Sequence, residues 1–223
     1  MLVTFRAEHG PRRAHAWLIF DVGRTIFMCQ PSQQANVPQE RKPAYIFYCA
    51  PIIHPASTKL KTLLGNAQNM GHTHVTLLMA SEGGLAQEGF ALHAFISALS
   101  LEITVCNLSH VDSIAIAPFL ACSRRIAHPR SSFLIHDFYY GQPQPVMAPS
   151  QIHDHSLMFA TWRGKLTSLL KTHSNLTDSR FDELQLFEKP KVLDAASALK
   201  EGLVESIEEI HVPFGAEVCN IEY

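Results

Sequence analysis

Three short apolar runs, AYIFYC at 44–49, VTLLM at 75–79 and LEITVC at 101–106, constrain the fold more than any other feature of this chain. Each is rich in aromatic or β-branched residues, the signature of a buried strand. Between them the rhythm changes to the period of a helix. Ser57–Met70 carries Leu60, Leu63, Leu64 and Ala67 behind a Ser57 or Thr58 cap, and Phe90–Leu99 carries Phe90, Leu92, Phe95, Ile96 and Leu99. Strands alternating with helices predict an α/β domain with a largely parallel sheet.

The pattern continues downstream. Ile114–Cys122 is small and apolar and predicts a helix buried on most sides; Phe133–His136 predicts a short strand. Gly141–Pro149 holds three prolines and two glutamines and must be a loop or an edge without ladder donors. Ser150–His173 predicts the longest helix, with Ile152, Phe159, Trp162, Leu166, Leu169 and Leu170 along one stripe. Asp194 caps Ala195–Lys200, Gly202 ends that helix, and Leu203–Ile207 returns as a strand. Residues 1–42 end in a polar run rich in Gln and Pro. They are expected to form a partly disordered extension or linker with an edge strand through Trp17–Phe20, ahead of one domain at 43–223.

Composition narrows the function. With 223 residues, 47% of them hydrophobic, the chain can build one full core. A net charge of −2 gives no basic field for nucleic acid or an anionic membrane. No stretch approaches the roughly 18 apolar residues of a membrane span, and the N-terminus is a poor signal peptide, so a soluble protein is expected. Cys29, Cys49, Cys106, Cys122 and Cys219 are scattered without a CxxC pair. They read as reduced thiols of a cytoplasmic protein rather than a disulfide frame.

Three features carry chemistry, in order. SEGG at 81–84 follows a buried strand and precedes a helix, where glycines let backbone N–H groups turn outward as an oxyanion hole requires. Taken alone, such a pair only makes a tight turn. Ser113, in HVDSIAIAPFLA, opens the buried helix, where the dipole and free N–H groups favour developing negative charge. A plain N-cap serine, or Asp112 as the cap, is the competing reading. His136, in FLIHD, closes an apolar strand; it is either a base or a satisfied structural histidine.

Taken together, SEGG, VDSIAIAPFLA, RRIAHPRSSFLIHD and DAASALKEGLVESI resemble, in this order over roughly residues 44–210, the proteolytic subunit of the Clp proteases and the wider crotonase-like superfamily. The form with VDSI around the serine resembles a divergent bacterial branch of that family. The resemblance implies a ClpP/crotonase-like spiral of ββα units with a protruding long helix at 150–175. It implies Ser113 as nucleophile, His136 as general base, the N–H groups of Gly84 and Ile114 as the oxyanion hole, and Gly83 as the shaper of that turn. It further implies a peptide or unfolded-protein substrate, a homo-oligomeric ring, an ATP-dependent unfoldase partner, and neither metal nor cofactor.

Two positions depart from the family pattern. Counting back from Gly202 puts Pro190 where the family has the aspartate that orients the histidine. Glu188 is the nearest carboxylate, with Asp182 the alternative; Asp182 and Glu183 lie farther off. Losing such a carboxylate costs on the order of 10⁴ in kcat by the serine-protease precedent. The choices are another carboxylate, a Ser–His dyad, or a silent scaffold subunit. Pro118, inside the nucleophile helix, should kink or end its first segment. A crotonase-type acyl-CoA enzyme, which also sets paired N–H donors against a carbonyl oxygen, is the remaining alternative.

Other histidines and arginines carry less. His153 and His155 do not share a helix face, and His72 and His74 share a strand face without a third ligand. Arg124 and Arg125 read as surface loop charge. Ser131 and Ser132 read as turn residues after Pro129.

Overall fold

A computed structural model describes residues 44–139 and 148–222, together with the backbone of two short strands, Leu18–Val22 (β1) and Thr25–Cys29 (β2). The chain divides into two units, residues 1–41 and 42–223. In the first, β1 and β2 pair antiparallel, Leu18 opposite Cys29 and Val22 opposite Thr25. The expected edge strand at Trp17–Phe20 overlaps β1, but Trp17 itself, the rest of the extension, and residues 140–147 of the proline-rich loop lie outside the described residues.

In the second unit the three apolar runs form neighbouring parallel strands: Ala44–Cys49 (β3), His74–Ser81 (β4) and Glu102–Val111 (β5). Helices His54–Asn69 (α1) and Ala86–Ala98 (α2) connect them. After β5 come a single 3₁₀ turn at Ser113–Ala115, the helix Ile116–Leu120 (α3), and strands Arg124–Ala127 (β6) and Ser132–Ile135 (β7). Helices Pro149–His173 (α4) and Asp178–Leu184 (α5) follow, then Lys191–Asp194 (β8), Ala195–Lys200 (α6), Ser206–Ile207 (β9) and Glu217–Glu222 (β10). The main sheet runs β10-β3-β4-β5-β6-β9, all parallel, and β7 branches from β5 to pair antiparallel with β8.

Burial explains the order. Leu77 on β4, Val105 on β5 and Leu92 on α2 are fully buried, and all five residues of α3 are buried against them. Apolar side chains buried this completely contribute about 1.5–3 kcal/mol each, so this region is the thermodynamic centre of the domain. The expected helix at Ile114–Cys122 is instead a 3₁₀ turn followed by five α-helical residues. Pro118 falls in the first turn of α3, where a missing N–H costs nothing.

Other boundaries differ for local reasons. α1 begins at His54 with Pro55 in its first turn, so Ser57 is buried inside the helix and caps nothing. β5 runs on through Asn107–Val111, and the buried Asn107 side chain donates to the Ser132 carbonyl at 2.8 Å. The strand expected at Leu203–Ile207 shortens to two residues, since the Leu203 N–H turns back to the Ala198 carbonyl around Gly202. The C-terminal strand β10 was not anticipated, having a single buried side chain, Ile221.

The long helix α4 changes character along its length. Leu166 and Leu170 are buried near its end, whereas Ile152 and Leu157 near its start are each 56% exposed. Among the described residues no helix is long and apolar enough to cross a membrane.

Candidate functional site

The site lies where β4 and β5 end side by side. The chain leaves β4 at Ser81 and turns through Glu82, Gly83 (φ +90°) and Gly84 (φ +149°). The turn is pinned from one side, because the Ile52 N–H donates to the Gly83 carbonyl at 2.7 Å and the Leu85 N–H to the Ile52 carbonyl at 2.8 Å. On the other side it presses on the chain after β5. A Cβ on Gly83 would lie 2.7 Å from the Ser113 Cβ and 2.8 Å from the Asp112 carbonyl oxygen. Only glycine fits there, in both conformation and space.

Ser113 opens the 3₁₀ turn with φ +56°. A non-glycine residue in the left-handed region is uncommon and costs on the order of 1–2 kcal/mol. The buried strand before it and the buried helix after it force that conformation. The result is a half-buried Ser113 facing the glycine turn, with Ile114 behind it fully buried. Among the described residues the N–H groups of Gly84 and Ile114 donate to no protein acceptor. Two unspent amides beside a strained serine are what an oxyanion hole needs from its surroundings. The five residues after Ser113 owe their close approach to α2 partly to Gly89, whose hypothetical Cβ would lie 2.3 Å from Ile114 Cγ1.

His136 follows β7 directly and is half-buried. Its Nδ1 lies 2.6 Å from the Asp137 carbonyl oxygen. A carbonyl only accepts, so Nδ1 carries the proton and Nε2 is left with the lone pair. The Tyr139 ring tilts against the imidazole with centroids 5.1 Å apart. Asp137 forms a two-pronged ion pair with Arg163 of α4, and Phe138 packs edge-on against Trp162 at 5.7 Å. The segment after β7 is thereby attached to the long helix. No hydrogen bond joins His136 to Ser113 among the described residues.

The antiparallel register of β7 and β8 ends with Ile135 opposite Lys191, one residue before His136 and one residue after Pro190. The position counted from the sequence holds no carboxylate. Glu188 and Asp182 are exposed, and neither bonds nor pairs with His136. Asp112, which the sequence left as a possible cap, does not cap the turn. Its Oδ1 accepts from the Leu134 N–H at 2.9 Å.

The remaining candidates resolve individually. His72 pairs with Glu217 at 3.5 Å, and His74 Nε2 meets Thr104 Oγ1 at 2.9 Å. Among the described residues no group of three or more His, Cys, Asp or Glu could hold a metal ion. Ser131 caps its own turn by donating to the His128 carbonyl at 2.8 Å. Arg124 is a surface charge paired with Glu208, but Arg125 is not loop charge. It lies on β6, its half-buried side chain pairing with Glu205 and donating to the Leu203 carbonyl at 2.9 Å.

A glycine turn, a strained serine at the start of a buried helix and a histidine two strands on make a recognisable constellation. The family model for Clp protease matches residues 36–211. The chain belongs to the Clp protease family. Clp-family architecture is also what the solved structures return: a ClpP1 mutant from Listeria monocytogenes has a TM-score of 0.65 and 17% identity, over 74% of this chain and 91% of that one. At that identity the likeness is one of fold, and the fold is ClpP/crotonase-like. No curated protein matches the chain. Within this Clp-family frame the segment from the glycine turn to β9 lies inside the matched region, and β10 lies beyond it.

Proposed function

We propose that the protein is a serine endopeptidase that cleaves peptides or unfolded proteins through an acyl-enzyme at Ser113. The observation that carries this is Ser113 held at φ +56° against the glycine turn, with the Gly84 and Ile114 amides unspent beside it. His136 Nε2 takes the Ser113 hydroxyl proton as Oγ bonds to the scissile carbonyl carbon. The carbonyl oxygen, now negative, accepts from Gly84 and Ile114, and the imidazolium then protonates the leaving amine as the C–N bond breaks. Water repeats the sequence to release the acyl group. The Asp137 carbonyl orients His136 in the correct tautomer, so the site works as a dyad, with no part for Glu188 or Asp182. No cofactor enters.

The assembly that suits this chemistry is a ring of identical subunits meeting a second ring through the exposed apolar start of α4, with Ile152 and Leu157 at the contact. An ATP-driven unfoldase would deliver substrate. The one-domain reading of residues 43–223, with 1–42 as an extension, belongs to the same proposal. So does a cytoplasmic setting, in which Cys106 and Cys122, pushed up to about 12 by burial, stay as inert thiols.

Labelling with a fluorophosphonate serine probe tests the assignment. Wild type and Ser132→Ala should label and Ser113→Ala should not; an unlabelled wild type would remove the peptidase reading. A silent scaffold has one feature in its favour, a proline at 190 where the family pattern has an aspartate. It would show as an assembled ring that neither labels nor cleaves a fluorogenic peptide.

A further inference from the structure

Asp112 stands between the two halves of the proposed site. It follows β5, precedes Ser113 and is half-buried. The turn it precedes is closed by backbone alone, the Ala115 N–H donating to the Asp112 carbonyl at 3.0 Å. The carboxylate is therefore free for another partner, and it takes the Leu134 N–H. Leu134 lies on β7, two residues before His136 and on the same side of the strand. One side chain thus ties the residue beside the serine to the strand that delivers the histidine. The ladder between β5 and β7 consists of a single pair, His110 opposite Ser132, to which the Asn107 side chain adds one bond to the Ser132 carbonyl, so the Asp112 bond is one of few that fix that spacing.

Charge reinforces the geometry. The titratable groups facing the Asp112 carboxylate are Glu82 after β4, His110 on β5 and His136 after β7. Asp137, the other acid beside His136, is engaged by Arg163. Burial pushes the Asp112 carboxyl up from its ordinary value, the Leu134 bond and the two imidazoles acting against that. Holding a charge where it is partly desolvated works against stability. An asparagine would satisfy the same amide without that cost.

We propose that Asp112 is a positioning residue: it holds the strand bearing His136 at working distance from Ser113 and presents to the imidazole the negative charge that Pro190 cannot supply. This rests on the assignment of Ser113 and His136 above. In the dyad, the Asp137 carbonyl fixes the tautomer, and Asp112 supplies spacing and charge as the imidazolium forms.

The test is the second-order rate of fluorophosphonate labelling of the full-length protein, alongside its melting temperature. Asp112→Asn keeps the acceptor for Leu134 and removes the charge. Its labelling should fall about 5-fold, the size of one charge acting through partly wet protein. Its melting temperature at pH 7 should match or exceed wild type. The sign follows from the raised Asp112 pKa, since a group raised on folding favours the fold below its unfolded value and loses that as pH rises through the folded one. Asp112→Ala, which loses the bond as well, should label about 30-fold more slowly. Wild-type rates in Asp112→Asn would overturn the proposal, as would rate losses that only track losses of melting temperature. A wild type that fails to label overturns the Ser113 assignment itself and the proposal with it.

Discussion

In the proposed site, the nucleophile side and the base side are built in opposite ways. Ser113 and Ile114 sit between the ends of two strands, where Ser81 and Val111 are buried, and a helix with no exposed residue, and the glycine turn touches them through backbone. His136 follows a four-residue strand, with an exposed tyrosine against its ring, a partly exposed ion pair on the next residue and one carboxylate bonded to Leu134 two residues before it. Amide donors are fixed only as well as the backbone that carries them, so they belong in the core. A base is a side chain that must gain and lose a proton, which requires some access to water. The difference teaches where rigidity is concentrated, and it ranks the expected effects of substitution.

The largest effect is expected on the nucleophile side. Gly83→Ala places a methyl within 2.7 Å of the Ser113 Cβ in a conformation that alanine resists. Either the turn or the serine must shift, and displacing an oxyanion donor costs on the order of 10²–10³ in rate. Labelling should fall at least about 100-fold while far-ultraviolet circular dichroism stays native. A labelling rate within 3-fold of wild type would mean that the turn does not shape the site.

Farther from the site, Glu201 holds two helices together. Its buried carboxylate receives the Arg180 guanidinium in a bidentate arrangement, with N–O distances of 2.6–3.1 Å, which fixes α5 against the end of α6 behind β8. Glu201→Ala should destabilise by about 2 kcal/mol at pH 7. The Arg180 hydrogen bonds hold the Glu201 carboxyl below its ordinary value of 4.5. A group depressed on folding stabilises above its unfolded pKa, and that contribution is lost as pH falls through the folded one. Urea melts from pH 7 to pH 3 should therefore show the gap between wild type and variant closing below about pH 4.5. A gap independent of pH would mean that packing, not the ion pair, carries the effect.

The same contrast decides what the sequence made legible. The strands β3, β4 and β5 were readable because a buried parallel strand is apolar at nearly every position, and that run survives inspection without any tertiary knowledge. The strand β10 was not, because EVCNIE buries one residue and its pairing with β3 spans most of the chain. At the site, SEGG, Ser113 and His136 were visible as an ordered set. The positive φ of Ser113 was invisible, since serine carries no signal for that region in the way glycine does. What Asp112 bonds was not legible, because its partner, Leu134, is 22 residues away. Arg125 was misread as loop charge because its partners are on the segment 78 to 80 residues further on. Local chemistry was legible and contacts between distant segments were not.

The strain at Ser113 offers a smaller and cleaner probe of the nucleophile side. Ser113→Gly and Ser113→Ala both remove the hydroxyl and should both abolish labelling. They differ in what the backbone must endure, because alanine keeps the cost of φ +56° and glycine relieves it. The glycine variant should be about 1 kcal/mol more stable than the alanine variant, read as a higher midpoint in urea with an unchanged slope. Equal midpoints would show that the conformation is relaxed and that no strain is held at the nucleophile.

The smallest effect is expected where the base side meets solvent. Arg163 on α4 grips Asp137, the residue whose carbonyl accepts from His136, and both charges are partly exposed. Exposed pairs contribute little to stability, so Arg163→Ala should change the unfolding free energy by less than about 1 kcal/mol. Its effect on the site should be disproportionate to that, because releasing Asp137 lets its carbonyl rotate away from Nδ1 and unsets the tautomer of His136. A labelling rate about 3-fold below wild type at nearly unchanged stability would place α4 in control of the base. Unchanged labelling would leave His136 positioned by β7 and Asp112 alone, and the long helix would then be a structural arm that ends where the chemistry begins.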